Sequence, residues 1–440
     1  MTDQHTRQNT STGIDSEHID SWYAASADQS MVFPALQGEH TTDVCIIGGG
    51  FTGLSAAIHL RERGYSVTLL EANKLAWGAS GRNGGHVGVG QRVDQDRLET
   101  MLGMGHAKQL WDIGLEANDT VASLIERFNI ACELKQGNLH VASKAHENDE
   151  LRGYAEHLQR HYNYSEVSYV EPAEVAQMTS GQGFNGGILD ARSKHLHPLK
   201  YAQGLAKAAS LLGAQLYEHS RVLSYSEGGN VTVNTAEGTV NAAFVVLACN
   251  GYLEKLEPRT AGRIMPINNF MLATEPLSEA LARRLIRDDT SMSDTLFVIN
   301  YWKLSADNRL LFGGGENYTR RFPKDIKAFV RKGMLQIYPE LADTRIDYGW
   351  GGTLAVTMNR MPDFGRLSAQ VFYAHGYSGH GVPTATMAGK LLAEVISGSA
   401  ERFDIMANIP IRPFPGGTLL RWPGLVAGML FYSLRDKMGR

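Results

Sequence analysis

Apolar positions change their period several times along the chain, and the changes mark out elements. An apolar run over 44–47 leads into Gly48-x-Gly50-x-x-Gly53. Leu54, Ala57 and Ile58 then recur at helical spacing, with Gly64 as a stop. A second apolar run over 67–70 ends on Glu71. This predicts strand, glycine turn, helix, strand and acid, the order of a βαβ dinucleotide site.

Further on, helical spacing predicts a helix over 97–128 and another over 199–212, which Gly213 ends. Short alternating runs predict strands over 137–142, 186–190 and 214–224. Residues 231–234 and 239–241 read as a hairpin around Gly238, and 243–251 as a buried strand ending in small residues. From about 255 to 355 alternation dominates, with strands expected at 270–274, 296–302 and 309–313. A last strand over 371–374 runs through a glycine-rich turn into a helix carrying Met387, Leu391, Leu392 and Val395. The expected fold is α/β: a Rossmann-like domain from 41–90, 191–254 and 356–400, and a mainly antiparallel-sheet substrate domain from 91–190 and 255–355. Residues 1–20 read as a polar disordered tail, after which Trp22 and Tyr23 are expected to cover a core edge. Residues 401–440 form a C-terminal segment in which Trp422, Leu425, Val426, Leu430 and Phe431 would cap the fold or rest weakly on a membrane surface.

Composition narrows the class. The chain has 440 residues, 43% of them hydrophobic, enough for a sizeable core. A formal charge of -4 gives no basic footprint, so nucleic acid is not an expected partner. Three cysteines, Cys45, Cys132 and Cys249, form no close pair in sequence and suggest a reduced, cytoplasmic setting. No apolar run reaches about 18 residues, so no spanning helix is expected.

The fingerprint residues each have a task. Gly48 turns the chain off the strand, Gly50 lets a diphosphate approach the backbone, and Gly53 lets helix and strand pack closely. The helix start at Phe51 and Thr52 offers N–H groups and partial positive charge to phosphates. Glu71, about 20 residues on, can accept from ribose hydroxyls and would repel a 2′-phosphate. A second tract, Gly78-Ala79-Ser80-Gly81-Arg82-Asn83-Gly84-Gly85-His86, adds a hydroxyl, a guanidinium, an amide and many N–H groups. The turn Gly379-His380-Gly381-Val382-Pro383-Thr384 before the last helix makes a further anion site. His195 and His197 lack a third ligand at useful spacing, so no metal is expected. Tyr301, Trp302 and Trp350 are candidates to line an aromatic pocket.

The tract GASGRNGG behind GGGFTGLSAA resembles the D-amino-acid-oxidase-like superfamily of FAD-dependent amine oxidoreductases, over roughly residues 21–440. Within it, the chain resembles bacterial oxidases of gamma-glutamylated polyamines. Those enzymes tend to carry a glutamine where this chain has His86. The resemblance implies FAD, with Val222 near the adenine, Cys249 packed under the cofactor, and the 379–384 turn aimed at the flavin pyrimidine. It implies that His86 and His380 border the amine slot and that Arg360 stands where a substrate carboxylate would be held. The implied reaction is oxidation of a C–N bond in a small-molecule amine to aldehyde, ammonia and hydrogen peroxide, with oxygen as acceptor. An N-methyl or D-amino-acid oxidase or dehydrogenase, and a flavin-holding subunit without turnover, are the alternatives.

Overall fold

The computed structural model describes residues 17–296, 298–317 and 321–423. Residues 1–16 of the expected tail and the apolar residues Leu425, Val426, Leu430 and Phe431 lie outside the described residues.

Two sheets organise the described chain. The first has eight strands, in the order Asp363–Arg366, Val371–His375, Gly238–Leu247, Gly38–Ile47, Val67–Leu70 and Gln215–Tyr217, with the Ser224–Glu227/Val231–Asn234 hairpin laid on Gly238–Leu247. Its central pairings are parallel: Gly38–Ile47 lies between Gly238–Leu247 and Val67–Leu70, and Val371–His375 joins on the far side. Parallel neighbours need crossovers. The helices Phe51–Glu62, Pro198–Leu211 and Gly381–Ile396 contribute buried apolar residues to the core on one face of this sheet. The second sheet has nine strands, in the order Ile346–Val356, Met265–Thr274, Leu310–Asn317, Tyr301–Leu304, Ser291–Asp294, Lys135–Val141, Gly187–His195 and His86–Val87, with Val167–Val170 beside Gly187–His195. All its pairings are antiparallel except Ser291–Asp294 with Lys135–Val141. The sheets share the second glycine tract: Ala79–Gly81 is a single 3-10 turn near the fingerprint, and His86–Val87 pairs with His195 and Lys194.

Several elements differ from their expected form. The helix over 97–128 is two, Gln95–Leu102 and Met104–Arg127, because Gly103 takes φ 84° between them. Residues 296 and 298–300 are not strand. Leu296 and Asn300 instead turn toward the Asp294 carboxylate, which accepts from the N–H groups of Leu296 (3.3 Å) and Asn300 (2.9 Å) and from Asn300 Nδ2 (2.7 Å); the strand begins at Tyr301. The strand over 214–224 is confined to Gln215–Tyr217, since His219 turns at φ 51° and the Ser220 N–H donates to the Glu71 carbonyl. The second arm of the hairpin and the buried strand after it are one strand, Gly238–Leu247. At the C-terminal end, Trp422 packs on Met265, Ile267 and Val356, while Leu419 and Leu420 are exposed.

Two helices of the first core cross without room for a side chain. A Cβ on Gly389 would lie 2.4 Å from the Ala56 nitrogen and 2.6 Å from the Thr52 carbonyl oxygen. Gly389→Ala should therefore force Gly381–Ile396 away from Phe51–Glu62 and cost about 1–3 kcal/mol, as overpacking does. A Cβ on Gly153, in the helix Glu147–Tyr162, would meet nothing within 4 Å, so Gly153→Ala should be neutral or stabilise by up to ~1 kcal/mol. Thermal denaturation of the pair checks both signs; a midpoint unchanged in Gly389→Ala would mean that the crossing can relax.

Candidate active site

The fingerprint closes on itself by backbone contact. Gly48 stands at φ 115°, and a Cβ there would lie 2.6 Å from the Ala248 carbonyl oxygen. A Cβ on Gly53 would lie 2.0 Å from the Gly48 oxygen, so helix and strand meet there without room for a side chain. At Gly50 the neighbour is the Ser80 hydroxyl, 2.7 Å from a Cβ. Gly50 is the N-cap of Phe51–Glu62 and supplies no side-chain cap. Ser80 Oγ accepts from the Phe51 N–H at 3.0 Å, which leaves the hydroxyl hydrogen to give. Glu71 ends the second strand with its oxygens accepting from the Gly49 N–H (2.8 Å) and the Asn73 N–H (2.9 Å). Burial raises its carboxyl above the usual range, and those N–H groups work against the rise.

A second helix starts beside the first. Thr52 Oγ1 and the Tyr377 hydroxyl are 2.6 Å apart, which ties the first turn of Phe51–Glu62 to the approach of Gly381–Ile396. His380 is the N-cap of the latter and makes no side-chain capping bond. A Cβ on Gly379, which stands at φ 94°, would meet nothing within 4 Å, and Val382 and Thr384 are buried in the first turn. Two helix N-termini whose own N-cap residues give no side-chain cap thus lie side by side, an arrangement suited to negative charge.

The second tract bridges from these helices to the second sheet. Arg82 is buried; its Nε donates to the Trp77 carbonyl (2.6 Å), its Nη1 to the Gly351 carbonyl (3.2 Å), and its guanidinium lies 4.0 Å from the Trp77 ring centre. Asn83 Nδ2 donates to the Ala79 and Ser80 carbonyls, and its Oδ1 accepts from the Gly85 N–H at 2.8 Å. A Cβ on Gly84 would lie 2.7 Å from the Tyr301 ring, and one on Gly85 2.0 Å from the Leu196 carbonyl oxygen. His86 meets Tyr301 edge to face at 5.6 Å. A Cβ on Gly88 would lie 2.7 Å from the His380 ring. Burial pushes both His86 and His380 down to about 4, so both rings are neutral at pH 7.

The structure brings His86 and Tyr301 together and sets His380 against the same short strand. Trp350 is placed differently. It is 2% exposed, donates from Nε1 to the Arg82 carbonyl at 3.0 Å and packs edge-on to Tyr23 at 5.2 Å, so it supports the tract from behind. Trp302 faces the other way, stacked on Phe312 in the core of the second sheet. Arg360 sits at φ 65° in the turn after Ile346–Val356, and Thr357 ties that turn to Ser378 Oγ at 3.2 Å. Val222 and Cys249 are partly buried against the core of the first sheet that holds Ile47 and Leu70. Burial pushes the Cys249 thiol up to about 12, and its Sγ lies 3.4 Å from the Ile47 carbonyl oxygen, so it is no thiolate nucleophile at neutral pH. His197 caps Pro198–Leu211 through Nδ1 and meets Ser26 Oγ at 2.9 Å, while His195 Nε2 faces the Asp289 carbonyl at 2.7 Å. Among the described residues no group of three His, Cys, Asp or Glu could hold a metal ion.

Tyr377, Tyr23 and Lys303 escape sequence reasoning as parts of the site. Tyr23, expected at a core edge, is fully buried against His197 and Trp350, with no partner for its hydroxyl among the described residues. Lys303 is findable from strand alternation, since residues 301 and 303 share a face. Two buried nitrogens of the site, Arg82 Nη2 and His380 Nε2, also have no partner among the described residues. With the two helix starts and the hydroxyl hydrogen of Ser80 as donors, and Glu71 as an acceptor, they form a set that fits a diphosphate-bearing dinucleotide.

The chain matches the family model described as FAD dependent oxidoreductase over residues 43–395. It is 41% identical to gamma-glutamylputrescine oxidoreductase of Escherichia coli (strain K12), over 96% of this chain and 99% of that one. It is 40% identical to a probable oxidoreductase, OrdL, of Rhizobium meliloti (strain 1021), over 95% and 97%. Among solved structures, glycine oxidase from Geobacillus kaustophilus superposes with a TM-score of 0.68 at 21% identity, over 81% of this chain and 95% of that one. L-proline dehydrogenase from P. horikoshii gives 0.69 at 20% identity, over 82% and 94%. These two likenesses are of fold. The match to the family model across both glycine tracts and the last helix start, and the near full-length identity to its curated relatives, mean that the chain belongs to the FAD-dependent oxidoreductase family.

Proposed function

We propose that this FAD-dependent oxidoreductase oxidises the terminal amine of a gamma-glutamylated polyamine, with gamma-glutamylputrescine as the leading substrate. The observation that carries this reading is the 41% identity to gamma-glutamylputrescine oxidoreductase along nearly the whole of both chains. In this reading the helix start at Gly50 to Gly53, with Ser80 and the turn 81–85, would hold the diphosphate of FAD. Glu71 would take a ribose, Val222 would lie near the adenine, Cys249 would pack under the cofactor, and the 379–384 turn would face the flavin ring. When bound, FAD supplies the hydride acceptor for the carbon beside the amine nitrogen. The net change is amine, oxygen and water to aldehyde, ammonia and hydrogen peroxide.

The chain's own groups bind and orient. A gamma-glutamylated diamine has a carboxylate head, an amide, a methylene stem and a terminal amine. Arg360 is the cation proposed for the head, and Tyr301 an aromatic wall for the stem. Trp350 supports the tract through the Arg82 carbonyl. His86 and His380 border the amine end with neutral rings, so neither repels an ammonium there. Neutral rings also offer lone pairs to an amine N–H. Among the described residues no helix is long and apolar enough to cross a membrane; a cytoplasmic setting is part of the proposal.

Gly50→Val places a branched side chain where the Ser80 hydroxyl stands, so the purified protein should be colourless; a full flavin spectrum in this variant would remove Gly50 from the site. Anaerobic mixing with gamma-glutamylputrescine, putrescine, sarcosine and D-alanine separates the substrate classes. Fast bleaching by the glutamylated amine alone is expected; bleaching only by sarcosine or D-alanine would overturn the assignment. With both histidines neutral above about pH 5, kcat/KM should rise with pH toward a substrate ammonium pKa of ~10, because only the neutral amine can release hydride. A profile flat from pH 7 to 10 would contradict this. Arg360→Ala should raise KM steeply for the glutamylated amine, in line with a loss of ~2–5 kcal/mol when one partner of a charge pair is truncated, and should leave KM for an amine without a carboxylate little changed.

A further inference from the structure

In the proposed pocket the carboxylate head, the methylene stem and the amine each have a partner, and the amide between head and stem has none. A side chain placed beside the aromatic wall is still unused. It is Asn269, on the strand Met265–Thr274. That strand pairs with Ile346–Val356 without a break from Met265 to Ala273, so residues 269, 271 and 273 share a face. Met271 and Ala273 pack in the first core, while Phe270 and Leu272 belong to the core of the second sheet. Asn269 is therefore on the side of the fingerprint. It pairs with Gly352, where a Cβ would lie 3.3 Å from the Arg82 side chain.

Tyr301 reaches this residue across the strand that separates them. The intervening strand, Leu310–Asn317, has only glycine at 313, 314 and 315. It carries one extra residue there, between the partners of Asn269 and Met271, with Gly315 at φ 71°, as a glycine bulge requires. A Cβ on Gly313 would lie 2.2 Å from the Tyr301 ring, and one on Gly84 2.7 Å from it, so the ring lies in a slot between two glycines. His86 stands at the Gly84 flank of the ring, and the hydroxyl at its far end donates to Asn269 Oδ1. That bond takes up the acceptor end of the Asn269 amide. Its Nδ2 carries two N–H donors and has no partner among the described residues, in a side chain that is half-buried rather than sealed.

We propose that Asn269 is a specificity-determining residue: its Nδ2 donates to the carbonyl of the substrate amide, and the Tyr301 hydroxyl, by engaging Oδ1, keeps the side chain turned that way. The proposal deepens the substrate reading above and rests on it. An amide carbonyl is an uncharged acceptor, and a neutral N–H donor matches it. The Tyr301 ring then spans the stem, with the imidazole of His86 at the amine end and Asn269 at the amide end. A plain diamine has no group for the Asn269 donor and leaves it unpaired, whereas a glutamylated one satisfies it. Sites that hydrogen-bond a substrate group discriminate against analogues lacking that group for this reason.

The test is binding to the FAD-loaded protein, followed by the change in flavin absorbance, of two ligands without a terminal amine. Gamma-glutamylbutylamide has the head, the amide and the stem; alpha-aminodecanoic acid has the same head and chain length without the amide. The ratio of their Kd values is the readout, because the head and its charge cancel from it. Asn269→Leu should shift the ratio about tenfold or more against the amide, since the ligand carbonyl is left without a partner. Asn269→Asp, which still accepts from Tyr301 but cannot donate, should shift it in the same direction and serves if the leucine variant does not fold. Tyr301→Phe should give a smaller shift, and none when added to Asn269→Leu, because the two side chains act as one unit. An unchanged ratio in a folded variant, or equal weakening of both ligands, overturns the proposal; if neither Asn269 variant folds, an unchanged ratio in Tyr301→Phe does so. A parent protein that fails to bind gamma-glutamylbutylamide overturns the substrate reading itself, so the two failures are told apart.

Discussion

Backbone against backbone is the contact on which this fold depends. At Gly53 and Gly389 main chains approach closer than any Cβ would permit, and at Gly48 the turn runs under Ala248. These approaches bring the starts of Phe51–Glu62 and Gly381–Ile396 to one place, where Thr52 and Tyr377 join them at 2.6 Å. Without them the helices would still bury their apolar residues, but their N-termini would diverge. Anion binding by helix starts falls off within a turn, so a few ångströms of divergence would dissolve the site.

The second glycine tract converts that local geometry into a relation between sheets. Its first half answers the fingerprint through Ser80, and its second half becomes a strand of the other sheet through His86 and Val87. Arg82 and Trp350 lock the middle, one through the Trp77 and Gly351 carbonyls, the other through the Arg82 carbonyl. Groups carried by the second sheet, Tyr301 and Lys303 among them, are thereby set relative to groups carried by the first.

Where local pattern and tertiary demand agree, the sequence is readable. Strand, glycine turn, helix and acid over 43–71 are each fixed by near neighbours, and the family resemblance rests on this turn and the glycine tract over 78–85. The stretches that differ from expectation are decided from a distance. Val298 and Ile299 look like strand residues, yet the Asp294 carboxylate collects N–H groups on either side of them and makes a loop. The long helix over 97–128 hides a glycine at φ 84°, which helical periodicity cannot register. Trp350 reads as a pocket wall because its support of Arg82 spans 268 positions in sequence. Lys303 shares a strand face with Tyr301, but its enclosure shows only once the strands are paired.

The first sheet joins strands that lie far apart in sequence. Gly38–Ile47 and Val67–Leu70 are made early, while Val371–His375 and the helix beginning at Gly381 come in the last quarter. During synthesis the nascent chain therefore carries a complete fingerprint, its glycine turn and its acid, but lacks the second helix start and the strand that closes the sheet beyond Gly238–Leu247. For most of translation the site is half a clasp. Long-range closure is slow because loop entropy must be overcome before the contact is gained. A ligand that needs both helix starts is therefore held only after Val371–His375 and the helix from Gly381 have joined the sheet.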